Sequence, residues 1–146
     1  MAEISRKEAR RELFSLLFET EFKAGESAEV IYASALEDRE LSEDEYIKSA
    51  FFGIIEKKDE LDNIISRYAK GWRADRLSKV SRSLIRLSVY EKLYTDVPVN
   101  VSVSEAVDMA KKYGEDKARA FVNGVLSSIS KDLEAKGRNA LVSGEQ

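Results

Sequence analysis

The sequence predicts an all-helical fold of about seven helices. Apolar residues recur at three- and four-residue spacing almost throughout, serines and acids stand where helix starts need caps, and the single proline sits between two helical patterns rather than within one. Only Val97 to Val101 has the character of a short extended piece. At 146 residues the chain suits one core, so residues 1–136 are expected to form a single domain and residues 137–146 a mobile tail without usable periodicity.

The first helix is expected from Ser5, as N-cap, to about Lys23. Ala9, Leu13, Leu16, Leu17 and Thr20 mark one face, and Phe14, Phe18 and Phe22 form a second stripe four residues apart. Apolar on two sides, this helix reads as central, with its phenylalanines as aromatic core in preference to an exposed ladder. Arg6, Lys7, Arg10 and Arg11 crowd its start, where cations oppose the helix dipole. That mismatch favours an anionic partner over a merely solvated end.

Gly25 breaks the pattern, and an acidic second helix follows from Ser27 to Glu37. Ser42 with Glu45 fits a capping box opening a third helix through Phe51 and Ile55. A fourth carries Leu61, Ile64, Ile65 and Tyr68 to a stop at Gly71, with Trp72 anchoring the connection. From Ser78 to Tyr94, Val80, Leu84 and Leu87 form one stripe and Ile85, Val89 and Leu93 another, so this helix is also expected to be buried on more than one side. Arg82, Arg86 and Tyr90 share a third line. For Arg86, pairing with Glu105, Asp108 or another acid is favoured over direct RNA contact.

Pro98 should stop that helix near Asp96, because it lacks an amide hydrogen and biases Val97 away from helical angles. Ser102 and Glu105 fit a second capping box, Val103, Ala106, Val107 and Ala110 supply an apolar face, and Gly114 is expected in the left-handed conformation that closes the helix. In the last helix Ala118, Val122, Val125, Ile129 and Leu133 make the core stripe. Phe121 falls at its edge, beside Lys117, Gly124 and Ser128. Glycine inside a helix costs about 1 kcal/mol relative to alanine, so something should approach Gly124 closely. A neighbouring helix and a nucleic-acid strand with a base on Phe121 both fit.

Composition narrows the functions. There are no histidines and no cysteines, which removes the commonest general base, thiol nucleophiles and the usual soft metal ligands. No metal, cofactor or catalytic role is expected, and carboxylate pairs such as Glu105 with Asp108 suit capping and surface charge better than acid–base work. No apolar run is long enough to span a bilayer and no signal peptide is visible, so a cytoplasmic location without membrane attachment is expected. Net charge is -3, but it is unevenly spread. Basic residues gather at the start and from Lys70 to Lys92, and acidic ones from Glu26 to Glu45, either as a solvated face or as a partner surface.

The ordered set SRKEARRELFSLLFE, RSLIRLSVYEKLYTDVP, VSEAVDMAKKYG and FVNGVL resembles the bacterial NusB family of transcription antitermination factors. No single motif is diagnostic; their order is. The resemblance implies two packed three-helix subbundles. It also implies binding of boxA-type single-stranded RNA from ribosomal RNA operon leaders, with the ribosomal small-subunit protein NusE and the RNA polymerase antitermination complex as partners. Monomer and homodimer both stay open. Carried over by residue, the family's arginine-rich start matches Arg6, Lys7 and Arg10, and its FVNGVL motif matches Phe121 to Leu126; with the residue reading added, the candidate RNA-binding set is Arg6, Lys7, Arg10, Arg11, Lys117, Phe121 and Gly124, and Arg86, Tyr90 and Glu105 are the candidate partner-binding set. The loop before FVNGVL is a residue shorter than the family pattern, placing Lys117 near a position where an acid occurs. A helical interaction module without RNA specificity is the alternative.

Overall fold

The computed structural model describes residues 4–38, 41–69 and 76–144. Eight helices and no strands occur among them: α1 (Arg6–Thr20), α2 (Ala28–Asp38), α3 (Glu45–Glu56), α4 (Lys58–Tyr68), α5 (Lys79–Tyr94), α6 (Val99–Tyr113), α7 (Ala118–Lys136) and α8 (Arg138–Ser143). The expected roles of Gly71 and Trp72, and the charges of Glu3, Arg39, Glu40, Lys70, Arg73 and Asp75, lie outside the described residues. No described helix is long and apolar enough to cross a membrane. The chain forms two compact units, Met1–Glu56 and Lys57–Gln146.

In the first unit α1 packs on α2 and α3. Ser5 caps α1 as expected, accepting from the Glu8 amide at 3.0 Å, and Ala9, Leu13, Leu16 and Leu17 are buried. The phenylalanine stripe is graded rather than uniformly internal. Phe14 is buried and stacks on Phe18 at 5.9 Å, whereas Phe22 lies beyond the helix end and is 63% exposed. Ser27 caps α2. Ser42 does not cap α3; Asp44 does, accepting from the Ile47 amide at 3.0 Å. Ser42 instead donates through its amide and hydroxyl to the Glu12 carboxylate at 2.9 and 3.0 Å, tying the connection to α1.

In the second unit α5 packs on α4, α6 and α7. Every residue from Ser81 to Val89 is buried, as two apolar stripes on one helix require. Burial extends to Arg82, Arg86 and Lys92, so these three cations of the run from Lys70 to Lys92 are internal. Burial pushes the Lys92 ammonium down to about 7, against the opposing pull of Glu91.

The chain around Pro98 departs from expectation. Helix α6 begins at Val99, directly after the proline, leaving no extended piece and no capping box. Ser102 is therefore inside the helix and fully buried, where its hydroxyl donates to Glu91 at 2.9 Å and lies 2.8 Å from the Ser88 hydroxyl. Proline supplies the starting φ and needs no amide partner, so the serine is released to join α6 to α5. Gly114 is extended, with φ -94°, not left-handed. Its lack of a side chain matters for another reason: a Cβ would stand 2.6 Å from the Ala118 Cβ and 2.8 Å from the Ala110 carbonyl oxygen. Beyond Gly137, in place of a mobile tail, α8 buries Leu141, and Arg67 donates to the Leu141 carbonyl.

Candidate nucleic-acid interface

The cationic start of α1 is set out by Ser5, which fixes the first turn, and by the spacing of the basic residues along it. Arg6 and Lys7 are exposed. The Arg6 guanidinium lies 3.9 Å from the centre of the Tyr46 ring, a cation–π contact that helps to position it. Arg11 is half-buried, 3.6 Å from Glu8, and its Nε is buried without a hydrogen-bond partner. The two exposed cations and the exposed part of the Arg11 guanidinium are what this helix start offers an anion.

Arg10 does not belong with them. It is 2% exposed, which leaves its guanidinium no surface on which to meet a phosphate. The sequence places it one helical turn from Arg6 and Lys7, but its direction falls between the Leu13 and Phe14 sides, both of which are buried. It is an internal cation of the fold.

On α7, Lys117 is exposed, Phe121 half-buried, Asn123 and Gly124 exposed and Ser128 half-buried. At 100° per residue Lys117, Phe121, Gly124 and Ser128 share one side of the helix, flanking the buried line of Ala118, Val122, Val125 and Ile129. No side chain caps the start of this helix, and Lys117 stands at that start with the exposed acids Glu115 and Asp116 before it. Gly124 decides between the two readings of its side chain's absence. A Cβ built there meets nothing within 4 Å. No neighbouring helix among the described residues requires the glycine, so its cost in helix propensity is offset by no contact among them.

The expected partner-binding residues fare differently. Arg86 is 9% exposed and closes a two-pronged ion pair with Asp62, Nε to Oδ1 and a terminal nitrogen to Oδ2, both 2.7 Å. It joins α5 to α4, and Asp62 is the other acid that the sequence left open beside Glu105 and Asp108. Tyr90 is half-buried with its ring 5.3 Å from that of Tyr94, and Glu105 is half-buried within α6 rather than at its start.

One surface was missed. Between α6 and α7 runs a groove of about 690 Å³, with Val99, Val103 and Val107 on one wall and Asn123, Ser127 and Ser130 on the other. Of the apolar face read from sequence, Ala106 and Ala110 are buried with Met109, but Val103 and Val107 are left half-buried. Their i, i+4 spacing is the same in either case, so periodicity alone does not separate a groove wall from a core.

Comparison with known proteins gives this arrangement a context. The NusB family model matches residues 6–131. The transcription antitermination protein NusB of Bacillus pumilus is 42% identical over 132 residues, covering 90% of this chain and 98% of that protein. That of Bacillus subtilis is 38% identical over 132 residues, with 90% and 98% covered. Among solved structures, T. maritima NusB superposes with a TM-score of 0.82 at 36% identity, covering 90% of this chain and 94% of its own. A chain from the crystal structure of the antitermination factors NusB and NusE in complex with double-stranded RNA superposes with a TM-score of 0.76 at 32% identity, covering 86% and 96%.

Proposed function

Because this chain belongs to the NusB family, we propose that it is a transcription antitermination factor that binds RNA together with NusE. It acts in this reading as a cytoplasmic adaptor and not as an enzyme. Its RNA is boxA-type and single-stranded, and NusE and the transcription machinery supply the protein contacts, Tyr90 and Glu105 among the residues offered to them.

The observation that carries the RNA contact is Gly124, open to solvent one turn from a half-buried ring. A strand laid along this side of α7 has a cation at Lys117 for phosphate, a ring edge at Phe121 for an unpaired base, and bare backbone at Gly124 for close approach. An unpaired base is needed because a paired one has no free face for the ring. The exposed cations Arg6 and Lys7, with Arg11, add phosphate attraction on the first unit.

Titration of a boxA-type RNA, a scrambled RNA and a duplex of the boxA sequence, each with and without NusE, tests the reading. The single-stranded boxA-type RNA should bind tightest, and more tightly with NusE present. Equal weak binding to all three would leave a helical interaction module without RNA specificity. In the same assay Phe121→Ala is expected to lose roughly 1 to 3 kcal/mol of RNA binding. Its unfolding midpoint should move little; a stability loss of about 3 to 5 kcal/mol with unchanged RNA affinity would mark the ring as core.

A further inference from the structure

The groove between α6 and α7 has no part in the RNA contact. Its α6 wall is the row Val99, Val103 and Val107, four residues apart and half-buried, facing a space of about 690 Å³. Valine is a weaker helix former than alanine or leucine, so a row of it on an open helix surface is not accounted for by α6 itself. The α7 wall is low. It consists of Asn123, Ser127 and Ser130, and the Ser130 hydroxyl is turned onto its own helix, donating to the Leu126 carbonyl at 2.8 Å. Short side chains facing an apolar row leave room for a further helix to come near. At 100° per residue this wall lies on the flank of α7 opposite to Phe121 and Gly124, with the buried line of Val122 and Ile129 between them. The groove and the RNA edge are therefore separate surfaces of one helix.

Charge marks the two ends of the groove. Residues 114–117 alone connect α6 to α7, so the helices run antiparallel, with Asp108 at the Asn123 end and Glu134 at the Val99 end. Both carboxylates are exposed, both line the groove, neither has a partner among the described residues, and no cation lines it with them. Such a site repels phosphate. A second copy docked groove to groove would set acid against acid, which disfavours self-association here. We infer that the groove receives an amphipathic helix of a protein partner, its apolar row laid on the valines and a lysine or arginine at each end meeting Asp108 and Glu134. From Val99 to Val107 the groove spans about 12 Å at the helical rise, so about three turns of the partner fill it, with anchors at three- and four-residue spacing. A helix is the form that fits, because it satisfies its own backbone, whereas an extended segment needs a strand edge and no strand occurs among the described residues.

The probe is the capped helical peptide KQALAALLQALAQK, titrated without RNA into the full ¹⁵N-labelled chain, with EQALAALLQALAQE as the counterpart that keeps the apolar row and reverses the end charges. The lysine peptide is expected to shift the amides of Val99, Val103, Val107, Ser127 and Ser130, and to bind at least tenfold more tightly than the glutamate peptide. Asp108→Asn with Glu134→Gln, two exposed positions whose loss leaves the fold alone, should weaken the lysine peptide about tenfold and remove that preference. Ser127→Tyr, which fills the groove from its low wall, should abolish the groove shifts. RNA of the boxA type, added separately, should leave the groove amides in place. Equal affinity for the two peptides, an unchanged Kd in the Asp108→Asn, Glu134→Gln variant, or RNA shifting the groove amides would overturn the assignment.

Discussion

Replacing Arg6, Lys7 and Arg11 together by glutamine is expected to lower affinity for boxA-type RNA about 100-fold at low salt. Each contact between a cation and a single strand contributes about 0.7 to the slope of log K against log salt, so removing three should flatten that slope by about 2. At about 1 kcal/mol per screened contact the three amount to roughly two orders of magnitude. The fold should tolerate the change, since Arg6 and Lys7 are exposed and the Arg11 pairing with Glu8 is a surface pair at 3.6 Å. Arg10→Ala is the contrasting variant. Buried at 2% exposure, Arg10 should affect the unfolding midpoint and leave the salt slope as it is. A slope unchanged in the triple variant would remove α1 from the RNA surface.

Arg86→Ala is expected to cost about 3 kcal/mol of stability, because truncation strands a carboxylate that has lost both its donors. The estimate sits at the low end of the usual range for broken buried pairs, since the Asp62 side chain keeps 24% exposure and some access to water. For a chain of this size the melting temperature should fall by roughly 10 °C. Replacing both partners, Arg86→Met with Asp62→Leu, should recover much of the loss. If Arg86 instead faced a partner protein, the single variant would weaken complex formation and leave the melting temperature alone.

Helix existence was legible because it depends on local repetition, and the two stripes of α5 announced a helix buried all round. What misled was chemistry with two uses. Ser102 followed by Glu105 has the spacing of a capping box, yet the proline starts the helix three residues before Ser102 and turns the same serine into a buried link to Glu91. Ser42 likewise has a remote partner, Glu12, which no local pattern contains. Arg10 was read by sign: it is as basic as Arg6, and only tertiary burial separates them. The six residues of α8 are too few to display a period, and Leu141 is held by packing and by Arg67 rather than by propensity. Gly124 is the opposite case. Its cost in a helix was visible in the sequence, and the empty space around it says where the explanation must come from.

Gly124→Ala therefore puts the central claim to the most direct test, measured as paired unfolding and RNA-binding curves on one preparation. A methyl group added in open space at a helical position should raise stability by about 0.5 to 1 kcal/mol. The same methyl, standing where a strand must come close to the backbone, should weaken boxA-type RNA binding. Opposite signs in the two curves are the predicted result. A stabilised protein that binds this RNA as tightly as before would contradict an RNA-facing edge on α7.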